Sequence, residues 1–473
     1  MASNSLAKCL EKLKSDGASE LLQNSFSRLY SSLSESSPGL ILEKDIKPVS
    51  ELADIESLKD CSSIGRQALE KTVVLKLNGG LGTSMGLDRA KSLLPVKDGL
   101  SFLEVIAKQI LSLRAESGCE VPLVLMNSFR TEQDSLDMIA QVEGFNSEKS
   151  NVRLSFLQNR IPKISADNLG PVSFPENSEL EWCPPGHGDL YTALLQTGLL
   201  DDLRTKGFRY LFVSNADNLG ASLDLNLLGY FVESSAGFMM EVADRTESDK
   251  KGGHLAYAAD SGKLILREVA QCAKEDISNF QEIKRHRYFN TNSLWIDLEA
   301  FAKKAEEHKG VFPLPVIRNS KNVDPADKSS EKVIQLETAM GSAIEVFDKA
   351  IAVRVPRSRF LPVKKTNDLL VIQSDIFQLD ASSNMVRSSS CQRLPMVVLD
   401  EEYFKTVEKF QLRFPKGVPS MINCQTLEVQ GDITFGEGVI CHGHVALTNN
   451  QGKPGLIPDG STLDSDFKAY SRI

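Results

Sequence analysis

No CxxC pair, no long apolar run and no basic tract with interleaved aromatics occur in this 473-residue chain, and each absence closes off a class of function. The eight cysteines, Cys9, Cys61, Cys119, Cys183, Cys272, Cys391, Cys424 and Cys441, are scattered, which predicts free thiols in a reducing compartment rather than a disulfide framework. No window reaches the roughly 18 to 20 consecutive apolar residues that a membrane span needs, so no membrane partner is expected. The opening "MASNSLAKCLEKLKSDGASELL" lacks a long apolar core and reads as an amphipathic helix, not a secretory signal. A cytoplasmic location is the expectation. With 54 Lys+Arg against 63 Asp+Glu the formal charge is -9, and extended nucleic-acid contact is not expected. A phosphate ligand would have to be met locally, by a few lysines, backbone N–H groups and a metal ion, against a repelling global field.

What is present suits a large soluble fold: 41% apolar and 25% charged residues, with length for two or three cores. Residues 1–50 read as a helical segment with a Ser-rich break, "SSLSESSPG", before the main body. From Val73 short apolar runs alternate with helix-period segments: "VVLKLN" then "SFLEVIAKQILSLRAE", "VPLVLMNS" then "TEQDSLDMIAQVEGF", "RYLFVSNADNLG" then "DLNLLGYFVES". This alternation predicts an α/β domain over 51–375, a mixed but mostly parallel sheet with helices on both faces. Ligands of such sheets sit at the carboxyl ends of the strands, where the Gly-rich stretch, Asn127-Ser128 and Ser214 to Asp217 all fall. The polar stretch 319–331, "NSKNVDPADKSSE", reads as an exposed loop. Residues 376–473 change texture: "INCQTLEVQGDITFGEGVICHGHVALTNNQGKPGLIPDGSTL" has glycines at short intervals between brief strands, as in a β-solenoid, with a small β-sandwich as the alternative.

The stretch "KTVVLKLNGGLGTSMG", residues 71–86, is the first chemical clue. It is not the dinucleotide fingerprint, because Met85 stands where the third glycine belongs and no acidic residue closes a second strand about 20 residues on. It is not a P-loop, because Ala90 replaces the second glycine ahead of Lys91-Ser92. What remains is a strand ending at Asn78, a glycine turn and a lysine. Two readings stay open on these residues alone: a nucleoside triphosphate lying across the turn with Lys91 on its phosphates, or a tight strand-to-helix turn with Lys91 in solvent.

Seven blocks in order then carry a resemblance: "LKLNGGLGTSMG...KS", "PPGHGDLYTAL", "FVSNADNLGA", "KGGHLA", "FNTNSLW", "QLETAMGSAIEVF" and "PRSRFLPVK". From about residue 40 onward the chain resembles the eukaryotic-type UTP–glucose-1-phosphate uridylyltransferases, also called UDP-glucose pyrophosphorylases, and "RTESDKKGGHLA" is most similar to protozoan members. The resemblance implies a Rossmann-like nucleotidyltransferase core with a C-terminal left-handed β-helix-like domain. It also implies direct in-line attack of glucose 1-phosphate on UTP with Mg²⁺, reversibly giving UDP-glucose and pyrophosphate. Catalysis of that kind is positioning and charge neutralisation, without a protein nucleophile.

Residue by residue, the resemblance implies that Leu77, Asn78, Gly79 and Gly80 line the nucleotide, that Lys91 meets the UTP phosphates, and that Gln158 reads the uracil edge. Gly186 lies against the base and His187 against the sugar phosphate; Asp217 holds Mg²⁺ and contacts the nucleotide beside Asn215. Gly252 and Gly253 let backbone approach the hexose, Asn290, Asn292 and Glu337 bond its hydroxyls, and Lys364 is the second essential lysine, with Lys365 as its decoy. Taken as residues, Asp217 could equally cap a helix, Asn290 and Asn292 could be turn formers, and Gln158 an exposed strand end. Cys441-His442-Gly-His444 does not match a structural zinc set, and Glu401-Glu402 reads as a solvated helix start. One departure stands out: Arg89-Ala90 replaces the Gly-Pro that many family members carry before the loop lysine, removing a rigid φ. The rival expectations are a sister enzyme acting on other UDP-sugars or UDP-N-acetylhexosamines, and a non-catalytic nucleotide-sugar binder. A monomer and a homo-oligomer are both compatible with the sequence.

Overall fold

A computed structural model describes residues 2–34, 39–146 and 148–465. Residues 35–38 of the Ser-rich break lie outside the described residues. The central sheet has eleven strands, eight of them on one path. Along that path the order is Ala53–Asp54, Ala350–Arg354, Phe238–Asp244, Tyr288–Asp297, Tyr210–Asn215, Thr72–Asn78, Leu123–Asn127 and Ser155–Leu157. All neighbours on it run parallel except Tyr288–Asp297, which is antiparallel to both of its partners. The sheet is therefore mostly parallel, as the alternation of apolar runs and helices leads one to expect.

The reason lies in which side chains each strand buries. Val73 and Leu75 pack into one apolar cluster with the helices Asp189–Gln196, Leu199–Thr205 and Leu298–Glu307, while Val74 packs into the other with Phe102–Ser117 and Leu225–Ser234. A strand covered on both faces needs an unbroken apolar run, and "VVL" supplies it. The helix Phe102–Ser117 begins in a capping box between Ser101 and Glu104 and ends at Gly118, whose φ of 72° closes the last turn. At the N-terminus, Ala2–Ser15 and Glu20–Ser31 lay Cys9, Leu13, Leu22 and Phe26 against Ile161, Ile164, Cys183 and Leu336.

Two local expectations are corrected. Of the stretch 319–331, residues 319–322 belong to the strand Val316–Asn322, which pairs with Lys332–Thr338, so only the hairpin connection is loop. "FNTNSLW" lies inside the long strand Tyr288–Asp297 and is no loop. Its asparagines are accommodated by a register shift at Glu241/Val242 and by a positive φ of 59° at Asn292. Beyond residue 396 the strands form short parallel ladders: Met396–Leu399, Cys424–Gln430 and Gly443–Thr448, then Ile433–Phe435 with Gly455–Ile457, and Ile440–Cys441 with Thr462–Leu463. Their inward residues, among them Leu427, Val429 and Ile457, belong to the same apolar cluster as Val74. All eight cysteines are free, and no helix among the described residues is long and apolar enough to cross a membrane.

Candidate active site

The register of the parallel strands sets the site's edge. Asn78 pairs with Asn127, Asn127 with Leu157, and Leu77 with Asn215, so all four strands end at one level. Val213 pairs with Leu294, and the antiparallel course of that strand carries Asn290 and Asn292 toward the same edge. This is how residues more than 200 positions apart come to share one rim.

On the nucleotide side, a Cβ on Gly79 would lie 2.6 Å from Gln158 Oε1, so the amide lies directly on that glycine's backbone. Asn78 is committed elsewhere: its Nδ2 donates to Asn127 Oδ1 at 2.7 Å and to Ser135 Oγ at 2.8 Å. Through that amide nitrogen it stitches strand ends together. Lys91 is fastened twice, its N–H donating to Gly80 O at 3.0 Å and its Nζ meeting Asp217 Oδ2 at 2.5 Å. Ala90, where proline is usual, has φ of -53°, within proline's own range, and the exposed Arg89 points the substitution at solvent. The loop thus keeps its path without the ring. Asp217 Oδ1 is buried and has no hydrogen-bond partner in the protein.

His187 sits in a turn between two glycines. Gly186 has φ of 79°, and a Cβ there would lie 2.5 Å from Thr338 O, so only glycine fits. The backbone N–H of Met340 donates to His187 Nδ1 at 3.0 Å, which leaves the ring proton on Nε2. Desolvation lowers the ring's pKa to about 4, so His187 offers a neutral N–H donor. Beside it, Asp189 accepts from the Asn159 N–H at 2.6 Å and from Asn159 Nδ2 at 2.8 Å, tying the His187 turn to the residue after Gln158. Burial raises the Asp189 carboxyl to about 6, the two Asn159 bonds working against the shift.

On the sugar side, Asn290 Nδ2 donates to Asn292 Oδ1 and the Asn292 N–H donates to Asn290 Oδ1, both at 2.8 Å. The Asn290 N–H donates to Gly253 O, and Gly252 closes its turn on Asp249 O. A Cβ on Gly253 would strike the Glu268 carboxylate at 2.5 Å. Burial raises the Glu268 carboxyl, and the positive charge of Lys364 works against the shift. Glu337 borders the Gly186 turn, its Cβ 3.0 Å from where a Gly186 side chain would begin. Lys364 is exposed, its backbone N–H capped by Asp368 Oδ2 at 2.7 Å and its Nζ 5.9 Å from the Phe360 ring centre. Lys365 turns away to Glu401 Oε1 at 2.9 Å, as neighbours on an extended segment should. Glu401 opens the short helix Glu401–Phe404.

The residues with no local signal are Asp189, Asn159 and Glu268. Asp189 lies inside a quoted block, "PPGHGD", and could have been singled out as an acid with little surrounding polarity. Asn159 and Glu268 acquire meaning only from partners 30 and 96 positions away. Cys441 and His444 lie in the C-terminal ladders, His444 beside Thr426.

Comparison with known proteins gives the family. The family model for UTP–glucose-1-phosphate uridylyltransferase matches residues 23–442. The enzyme of that name from Solanum tuberosum is 42% identical over 401 residues, 84% of this chain and 81% of its own, and the one from Encephalitozoon cuniculi is 39% identical over 429 residues, 90% and 83% respectively. Among solved structures, UDP-glucose phosphorylase from Trypanosoma brucei superposes with a TM-score of 0.90 at 43% identity, covering 98% of both chains. A variant of UDP-glucose pyrophosphorylase from Leishmania major in complex with UDP-glucose gives 0.91 at 41% identity, again over 98% of both. This chain belongs to the UTP–glucose-1-phosphate uridylyltransferase family.

Proposed function

We propose that the chain joins UTP and glucose 1-phosphate in a single in-line displacement, reversibly giving UDP-glucose and pyrophosphate. A phosphate oxygen of glucose 1-phosphate forms the new bond to the α-phosphorus of UTP, and the bond from that phosphorus to the α,β-bridging oxygen breaks, so pyrophosphate leaves with its electron pair. The observation that carries the reading is the junction at Asp217: Lys91 is bonded to its carboxylate, and Val363, next to Lys364, donates to its carbonyl at 3.2 Å. The two lysine-bearing segments thereby meet at one aspartate at the strand ends, Lys91 through its ammonium on the carboxylate and the Lys364 segment through the Asp217 backbone carbonyl, where phosphates can be bracketed.

In this reading Leu77, Asn78, Gly79 and Gly80 line the nucleotide, Gln158 pairs with the uracil imide, and Gly186 lets the base approach. Asn215 meets the nucleotide, and His187 gives its Nε2–H to the sugar phosphate. Asn290, Asn292 and Glu337 bond the hexose hydroxyls beside Gly253. Lys364 neutralises charge that grows on the phosphates as the bond changes. Asp217 suits Mg²⁺: its Oδ1 is buried without a partner, as a cation ligand would be. Among the described residues no group of three His, Cys, Asp or Glu could hold a metal unaided, which suits an ion carried largely by phosphate oxygens and water. When bound, the ion would supply further neutralisation of phosphate charge.

The short parallel ladders after residue 396 support reading 376–473 as a left-handed β-helix-like domain, beside the catalytic domain at 51–375 and an N-terminal segment at 1–50 that is helical at its start but sends the strand Ile46–Pro48 into the central sheet. The scattered free cysteines support a cytoplasmic location. The activity is tested by pyrophosphate release from UTP with glucose, galactose and N-acetylglucosamine 1-phosphates. Glucose 1-phosphate is expected to be preferred, and preference for N-acetylglucosamine 1-phosphate overturns the assignment in favour of the sister enzyme.

A further inference from the structure

We propose that Asn218 is a positioning residue for the transfer step: its side-chain amide sets the spacing between Asp217 and Lys364, and with it the alignment of the two reacting phosphates. This rests on the roles given to Asp217 and Lys364 above.

Lys364 lies at the end of a strap, residues 357–364, that has no continuous strand partner. Asn218 supplies the missing partner from its side chain. Its Nδ2 donates to Arg359 O at 3.1 Å and its Oδ1 accepts from the Leu361 N–H at 2.8 Å, so one amide satisfies both a carbonyl and an N–H of the strap. Backbone contacts continue the seam: Asn218 bridges Pro362 in antiparallel fashion, and Val363 donates to Asp217 O at 3.2 Å. The Asn218 side chain is 1% exposed, so water cannot replace these bonds.

Both flanks of the seam are rigid. On the strap side, Arg359 donates to both carboxylate oxygens of the buried Glu241, at 2.7 and 2.9 Å, and to Ser222 O at 3.0 Å. Trp295 Nε1 donates to the same carboxylate at 2.9 Å. On the turn side, Lys76 Nζ donates to Ala221 O at 2.6 Å and to Ser214 Oγ at 2.7 Å. Gly220 is pressed so close that a Cβ would lie 2.3 Å from Ser358 O. Arg359 is therefore fixed to the sheet and Asp217 to its strand end; between them the Asn218 amide holds the strap from Arg359 to Leu361, ahead of the Val363 bond to Asp217 O and the Asp368 cap on the Lys364 N–H. Only an amide of this length offers a donor and an acceptor together; aspartate keeps the acceptor for Leu361 and sets a carboxylate against the Arg359 carbonyl.

Loss of the amide should shift Lys364 without touching the base or hexose contacts. Misplacement by about 1 Å costs on the order of 100-fold in rate. Asn218→Leu is thus expected to lower kcat by roughly 30- to 100-fold while KM for UTP and for glucose 1-phosphate changes less than about threefold. The decisive measurement is a double-mutant cycle with Lys364→Ala, folding being checked by thermal unfolding. If Asn218 acts through Lys364, Asn218→Leu costs less than about threefold in the Lys364→Ala background. An equal loss in both backgrounds, or wild-type kcat in Asn218→Leu, overturns the proposal. Wild-type turnover in Lys364→Ala alone overturns the lysine assignment and this proposal with it. Should Asn218→Leu not fold, Asn218→Asp, which keeps side-chain volume and one of the two bonds, is read in the same cycle with the same outcomes.

Discussion

The two lysine-bearing segments reach the same aspartate by opposite means, one at its carboxylate and the other at its backbone carbonyl. Lys91 is built in: its side chain is 15% exposed, its N–H is bonded to the glycine turn and its ammonium to Asp217. Lys364 is exposed, at the end of a strap that the fold must hold from the side. The difference separates two ways of preorganising charge. On the roles proposed for them, a lysine already paired to a carboxylate is handed over to phosphate when substrate arrives, whereas a lysine in solvent gives up hydration and side-chain freedom instead. One is positioned by its own loop, the other by a residue 146 positions earlier in the chain.

The comparison is broken most sharply by removing each ammonium. Lys364→Ala is expected to lose roughly 100- to 1,000-fold in kcat, the scale of removing one group that stabilises transition-state charge, with no loss of thermal stability because the side chain is exposed. Lys91→Ala should also lose turnover heavily, and in addition should change unfolding temperature, since it strands the Asp217 carboxylate without its partner. Steady-state kinetics and calorimetry on the two variants separate the cases; equal stability effects would show that the Lys91 pair contributes nothing to holding the loop.

A smaller effect tests the nucleotide side alone. Gly79→Ala places a methyl against the Gln158 amide, which must swing aside, so KM for UTP should rise several-fold, roughly 5- to 30-fold for about 1–2 kcal/mol of lost binding, with kcat little changed. Smaller still is a pH effect. His187 has a folded pKa lowered to about 4, so between pH 4 and 6.5 the unfolded chain binds more protons and this residue makes stability fall as pH falls through that window. Asp189, raised to about 6, binds its proton in the folded state first and acts in the opposite sense between about pH 6 and 4. His187→Gln should therefore lose stability less steeply than the wild type on acidification, measured by denaturant unfolding at several pH values. Near zero is the expected effect of Lys365→Ala on kcat, because that side chain points to Glu401 on the surface.

Much of the fold was legible because its signals are local. An unbroken apolar run such as "VVL" demands cover on both faces, and the alternation with amphipathic segments leaves a parallel sheet as the economical solution. The glycine positions were legible too, since close backbone approach at Gly79 and positive φ at Gly186 exclude side chains whatever the context. The alternative of Asn290 and Asn292 as turn formers rests on asparagine's turn preference, which is a weak prior. Strand pairing on both sides of Tyr288–Asp297 overrode it, with a single bulge taking up the positive φ at Asn292. At Asn78 the strand-end position is readable from the sequence, whereas the bonds of its Nδ2 to Asn127 and Ser135 are not.

The alternating architecture is thus readable from the residues alone, and the family from the ordered blocks. Only the tertiary structure decided what each polar side chain bonds. It committed Asn78 to its neighbours, set the tautomer of His187 through the Met340 N–H, left Asp217 Oδ1 buried without a partner, and enlisted Asn218 to hold the Lys364 strap. Hydrophobic burial follows from periodicity along the chain and is readable locally. A buried hydrogen bond needs its donor and acceptor within about 3 Å, and residues such as Asn218 and Leu361, far apart in sequence, meet at that distance only once the chain has folded.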